Sequence, residues 1–196
     1  MHALLGFVLA VIAPIAGLTQ AEMDTVLQGK TVVQAETFTT QSGKSAGRVF
    51  GAAVIDRPIA EVWAVISRYD DKAEYMPRLK EVTILGKLPD RVRCRMVVDA
   101  SVTTARYTAW FVLDAKEHTI RWTLDKSVSD NTISDVEGEY KMFELEPGKT
   151  LVAYRTWVDS GKAVPRFIQD YMAKKSVPDL LKAVKQRVES GGTYKK

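Results

Sequence analysis

The chain has 196 residues, of which 46% are hydrophobic and 27% charged, with a net charge of +4. That length suits one domain with a full core and is too short for two, and the composition excludes a largely disordered chain. A pI near 9.1 permits contact with anionic surfaces, but the excess is too small to predict a nucleic-acid partner, and none is expected.

Residues 3–18 are all apolar, Gly or Pro, and Thr19-Gln20-Ala21 follows. This reads as a signal peptide over residues 1–21 with cleavage near Ala21, and so as a secreted or periplasmic protein. The run is shorter than a bilayer span and Pro14 interrupts it, which weighs against an uncleaved anchor. One domain is expected over residues 22–190, with a flexible tail at 191–196. Cys94 is the only cysteine, so no intramolecular disulfide can form, and its strand parity predicts burial.

A short helix is predicted over residues 22–28, ended by Gly29. Residues 31–39 and 48–56 read as a hairpin around the polar turn at 41–45. Pro58 then opens a helix with Val62, Trp63 and Ile66 on its apolar face, where a missing N–H costs nothing. A turn carrying Tyr69 and Tyr75 stops at Pro77.

A meander of strands follows. In residues 91–100, Val92, Cys94, Met96 and Val98 alternate with arginines, and in 118–124 Ile120, Trp122 and Leu124 alternate with polar residues. Such alternation marks an antiparallel sheet with one wet face. Tyr107, Ala109, Phe111 and Leu113 share a face in the strand between them. The apolar parity of residues 131–145 changes after Gly138, which predicts a bulge there. A last strand covers 150–159. Residues 164–189 have helical periodicity, with Phe167, Tyr171, Leu181 and Val184 inward, Lys182, Lys185 and Arg187 outward, and a break at Pro178.

The cadence of strand, Pro58, Val62-Trp63 helix, and Tyr75-Met76-Pro77, with Asp159-Ser160-Gly161 and Val164-Pro165 before the last helix, resembles the START-like (SRPBCC, helix-grip) superfamily. The likeness is greatest to its polyketide-cyclase and coenzyme-Q-binding branch. The resemblance implies an α+β fold in which a curved antiparallel sheet wraps a long C-terminal helix and encloses an apolar ligand.

Catalytic motifs are missing. His118 is the only histidine beyond the leader, so zinc sites built on several His or Cys are excluded. No Gly-x-Ser-x-Gly elbow is present, and the Gly-Lys-Ser/Thr triplets at 43–45 and 148–150 lack the earlier glycine of a phosphate loop. Cys94 and His118 are both expected to face the core. No cofactor and no metal are expected.

What remains is a cavity wall. The candidate ligand-binding residues are Trp63, Tyr75, Met96, Tyr107, Trp122, Arg155, Phe167 and Tyr171, large side chains on the inward parity with Arg155 as the polar anchor. Arg155 has apolar same-parity neighbours and so needs a partner, either Asp135, Glu137 or Glu139, or an anionic ligand group. Expected partners are a hydrophobic small molecule or lipid, with transient contact between the outer lysines and an anionic membrane surface allowed. The function expected is binding and transport without catalysis. The alternative implied by the resemblance is a cyclase or aromatase acting on a hydrophobic substrate.

Overall fold

The computed structural model describes residues 12, 14, 16–39, 45–100, 103–161 and 172–196. Chain order is α1 (Gln20–Leu27), β1 (Val32–Thr39), β2 (Ser45–Ile55), α2 (Ile59–Ile66), α3 (Lys72–Tyr75) and β3 (Leu79–Leu88). Then come β4 (Arg91–Asp99), β5 (Thr104–Asp114), β6 (Thr119–Leu124), β7 (Asp135–Glu146), β8 (Lys149–Asp159), a π-helical turn (Met172–Ser176) and α4 (Val177–Glu189).

The strands form one sheet in the order β1-β2-β8-β7-β6-β5-β4-β3, with every neighbouring pair antiparallel. The alternation read in β4 and β6 holds: Val92, Cys94, Met96, Ile120, Trp122 and Leu124 all face a buried core on the inner side. Along α4 the 3.6-residue period sets Val177, Leu181, Val184 and Val188 against that same core. Close approach of α4 to β2 depends on Gly51. A Cβ there would lie 2.6 Å from Val177 and 2.9 Å from Leu181.

A second core covers part of the outer face. Phe50, Ala52 and Val54 of β2 and Leu151 and Ala153 of β8 pack under Met23 and Val26 of α1, with Ala16 and Leu18 beside them. Thr19 and Glu22 close a reciprocal capping box at the start of α1. The helix begins two residues earlier than the sequence predicts because Thr19, not a later residue, supplies the cap.

Three expectations fail here for identifiable reasons. No bulge falls at Gly138: β7 pairs with β8 in unbroken register until Glu144. The change of parity comes from Phe143 and Leu145 turning outward into the second core. Gly138 is instead small to admit Trp122, its cross-strand partner, whose ring would lie 2.0 Å from a Cβ there. Arg187 is only 4% exposed, not outward, because α4 presses it against α3. His118 sits in the β5–β6 turn with φ 46°, not on the inward face of a strand. Pro178 stands in the first turn of α4, where the π-helical turn passes into α-helix without a gap, so the change of helix type falls there rather than a break.

Candidate functional site

The inner face of the sheet carries a continuous aromatic wall. The Trp122 ring lies 6.0 Å from Phe111, 5.6 Å from Tyr140 and 5.7 Å from Tyr154, nearly parallel to the last. Tyr140 and Tyr154 meet at 4.9 Å, and Tyr69, from the loop after α2, closes on Phe111 at 4.6 Å. Cross-strand pairing sets Met96 opposite Tyr107 on the same side. Tilted and offset ring contacts of this kind add to the area they bury.

The wall is apolar in its rings and polar at its tips. Burial drives the phenols of Tyr69, Tyr107 and Tyr140 well above the ordinary range, and takes Tyr154 to about 12. All four therefore stay protonated donors at physiological pH. Cys94 is fully buried, and burial outweighs the nearby Lys72 amine to push its thiol up to about 12, so it is an inert core residue.

Of the residues picked out by sequence, Met96, Tyr107 and Trp122 are brought together on this wall. Trp63 is half-buried in the middle of α2, packed against the inner core with its ring contact to His118, edge to face at 5.7 Å. Tyr75 is wholly buried under the Arg187 guanidinium, and its hydroxyl finds no hydrogen-bond partner. Leaving a buried hydroxyl unpaired costs about 1 kcal/mol or more. Tyr75→Phe is therefore expected to raise unfolding stability by about 1 kcal/mol in urea titrations. A loss of stability instead would show that the hydroxyl is hydrogen-bonded. Phe167 and Tyr171 lie outside the described residues.

Arg155 is the main correction. It is exposed on the outer face, with its guanidinium 5.7 Å from the Phe50 ring. Its apolar neighbours Leu151 and Ala153 belong to the second core under α1, not to a ligand site. The acids proposed to hold it are engaged elsewhere: Asp135 with Lys126, Glu139 with Arg121, and Glu137 with the indole N–H of Trp157. An open hollow of about 830 Å³ lies beside it on that outer face, floored by Phe50, Gly138 and Trp157.

Two inner residues escaped the sequence reading. Tyr154 is adjacent to Arg155 on β8 and so faces the opposite side of the sheet, the inner one. Lys72, which no sequence pattern singles out, is 3% exposed. Its Nζ donates to the Ile66 carbonyl and lies 4.5 Å from the centre of the Tyr69 ring. Burial lowers its pKa to about 7. Among the described residues no group of three or more His, Cys, Asp or Glu is placed to hold a metal, and no helix is long and apolar enough to cross a membrane.

An antiparallel sheet closed on its inner side by a C-terminal helix, with an aromatic wall between, is the START-like helix-grip fold. The model of the polyketide cyclase / dehydrase and lipid transport family matches residues 47–189, and the chain belongs to that family. Human StAR-related lipid transfer protein 5 is similar in structure, with a TM-score of 0.63 at 12% identity over 92% of this chain and 98% of that one. The Zhui aromatase/cyclase from Streptomyces sp. R1128 gives 0.60 at 18% identity, over 82% and 94%. The STAR-related lipid transfer protein from Xanthomonas axonopodis gives 0.65 at 12% identity, over 80% and 93%. At these identities the likeness is one of fold. No curated protein sequence matches the chain.

Proposed function

We propose that the protein binds a hydrophobic small molecule or lipid between the inner sheet face and the C-terminal helix, and carries it without chemical change. The observation that supports this is the wall of Met96, Tyr107, Phe111, Trp122, Tyr140 and Tyr154, a large apolar surface edged by protonated hydroxyls. Ligand sites for small molecules have this make-up, mostly apolar with a few polar groups that fix orientation. The lipid transfer proteins of the same fold agree with it. Native mass spectrometry of the purified protein, before and after extraction with organic solvent, tests the reading. A mass adduct that extraction removes, and that an added apolar probe replaces one for one, is the expected result. Absence of both an adduct and probe binding would overturn it.

A cyclase or aromatase is the second reading, favoured by the same hydroxyls, which have protons to give to a reacting carbonyl chain. It requires a changed product when a poly-β-ketone substrate is supplied, whereas a carrier returns its ligand intact.

We also propose export, with cleavage near Ala21, on the strength of the apolar leader. Cleavage there falls inside α1 and removes Thr19 from its cap and Ala16 and Leu18 from the outer core. Intact-mass measurement on exported protein should find Ala21 or Glu22 at the N-terminus. Full-length protein confined to the cytosol would refute export.

A further inference from the structure

Lys72 is the one lysine among the described residues that is buried, and nothing described so far gives it a full set of partners. A lysine ammonium carries three donors. One goes to the Ile66 carbonyl at the C-terminal end of α2, where a cation is also favoured by the helix dipole. Asp71, its neighbour in the chain, gives its Oδ2 to Arg68 and to Arg187, the latter at 2.6 Å, while its Oδ1 is buried without a hydrogen-bond partner, so its charge acts on the Lys72 amine through space but accepts none of its donors. No carboxylate among the described residues pairs with Lys72. A buried cation with donors to spare is costly unless something else meets it.

The Nζ end points into the inner site rather than away from it. It lies over the Tyr69 ring, which itself packs on Phe111 at the edge of the aromatic wall. It is also close enough to the Cys94 thiol, on the inner face of β4, to act on that thiol's titration. The wall otherwise offers only neutral hydroxyls, and Arg155, the charge expected there, faces the opposite side of the sheet.

We propose that Lys72 is the polar anchor of the inner site and that its ligand is a carboxylate-headed amphiphile, whose head takes the donors that Ile66 leaves unused. The apolar body lies along Phe111, Trp122, Tyr140 and Tyr154. This rests on reading the inner face as a ligand site. One ammonium with two free donors matches the single charge and two oxygens of a carboxylate, whereas a doubly charged phosphate would remain half-neutralised in an apolar surround.

Two fluorescent probes separate the anchor from the site: neutral N-phenyl-1-naphthylamine and cis-parinaric acid, each titrated into wild type and Lys72→Met. Wild type should bind both. Lys72→Met should keep its affinity for the naphthylamine and lose about tenfold or more for parinaric acid, as expected for removal of a charge-assisted contact. The methyl ester of parinaric acid should bind the two proteins alike. In wild type the affinity for the acid should fall between about pH 6 and about pH 9 as the amine loses its proton, with a flat profile in Lys72→Met. Asp71 and Arg68 keep their charges across that window, and Cys94 and Tyr69 titrate above it.

Equal binding of the acid by both proteins would reduce Lys72 to a cap on α2 while leaving the site standing. Failure of wild type to bind either probe would remove the site itself. If Lys72→Met does not fold, Lys72→Gln keeps a donor for Ile66 and carries the comparison. If neither folds, the wild-type pH profile decides, and a flat one overturns the anchor.

Discussion

Gly138→Val should lower the stability of the domain by about 3 kcal/mol or more, the upper end for overpacking. A Cβ at this position lies 2.0 Å and 2.3 Å from atoms of the Trp122 indole and 2.6 Å from the Arg155 carbonyl, so neither side chain nor backbone can yield cheaply. Trp122 is held by Phe111, Tyr140 and Tyr154 and has no free direction in which to turn. Urea unfolding measures the loss, and the change in tryptophan fluorescence of the folded state reports the displaced ring. Gly86→Ala is the control, since its nearest neighbour would be 3.9 Å away. Equal effects at the two positions would mean that Gly138 does not make room for the indole.

Arg187→Leu should cost about 3–5 kcal/mol, the range for breaking a buried ion pair from one side. Its guanidinium donates to Asp71, to Glu74 at 3.3 Å and to the Tyr194 carbonyl at 2.7 Å, and covers the Tyr75 ring. The largest influence on Asp71 is burial, which raises its pKa, but hydrogen bonds from Arg68 and Arg187 outweigh it and hold the carboxyl below its ordinary range. A carboxyl depressed in the folded state stabilises above its unfolded pKa and loses that contribution as pH falls through the folded value. The gap between wild type and variant should therefore be full at neutral pH and narrow below about pH 4. A loss under about 1 kcal/mol at neutral pH, typical of a surface pair, would show that the network does not hold α4 to α3.

Legibility of the fold in the sequence followed the cleanness of the pattern. Where one sheet face is core and the other is wet, as at Val92–Cys94–Met96 and Ile120–Trp122–Leu124, alternation names the buried face directly. It fails on β2, β7 and β8, which are covered on both sides. There Leu151 and Ala153 look as buried as Val152 and Tyr154, and Arg155 was assigned to the wrong face because its neighbours belong to a second core the pattern does not reveal. Of the candidate site, Met96, Tyr107 and Trp122 were readable because each lies on a one-sided strand. Lys72 was not: nothing in Asp-Asp-Lys-Ala-Glu distinguishes a buried amine from a solvated one. Its burial is set by α3 lying against β3 and α4, a tertiary fact.

The pairing of β2 with β8 joins Ile55 to Thr150 and Gly47 to Val158, bringing together segments about a hundred residues apart. The sheet therefore cannot be completed until its eighth strand is available, and closing so long a loop must precede the contacts that reward it. During synthesis the β1–β2 hairpin waits with one edge unpaired and its apolar inner residues Val49, Ala53 and Ile55 uncovered. The β3–β8 meander pairs strand by strand as it is made, so the late step is the docking of this hairpin on β8, and until then its open edge is the part of the chain most exposed to wrong pairing.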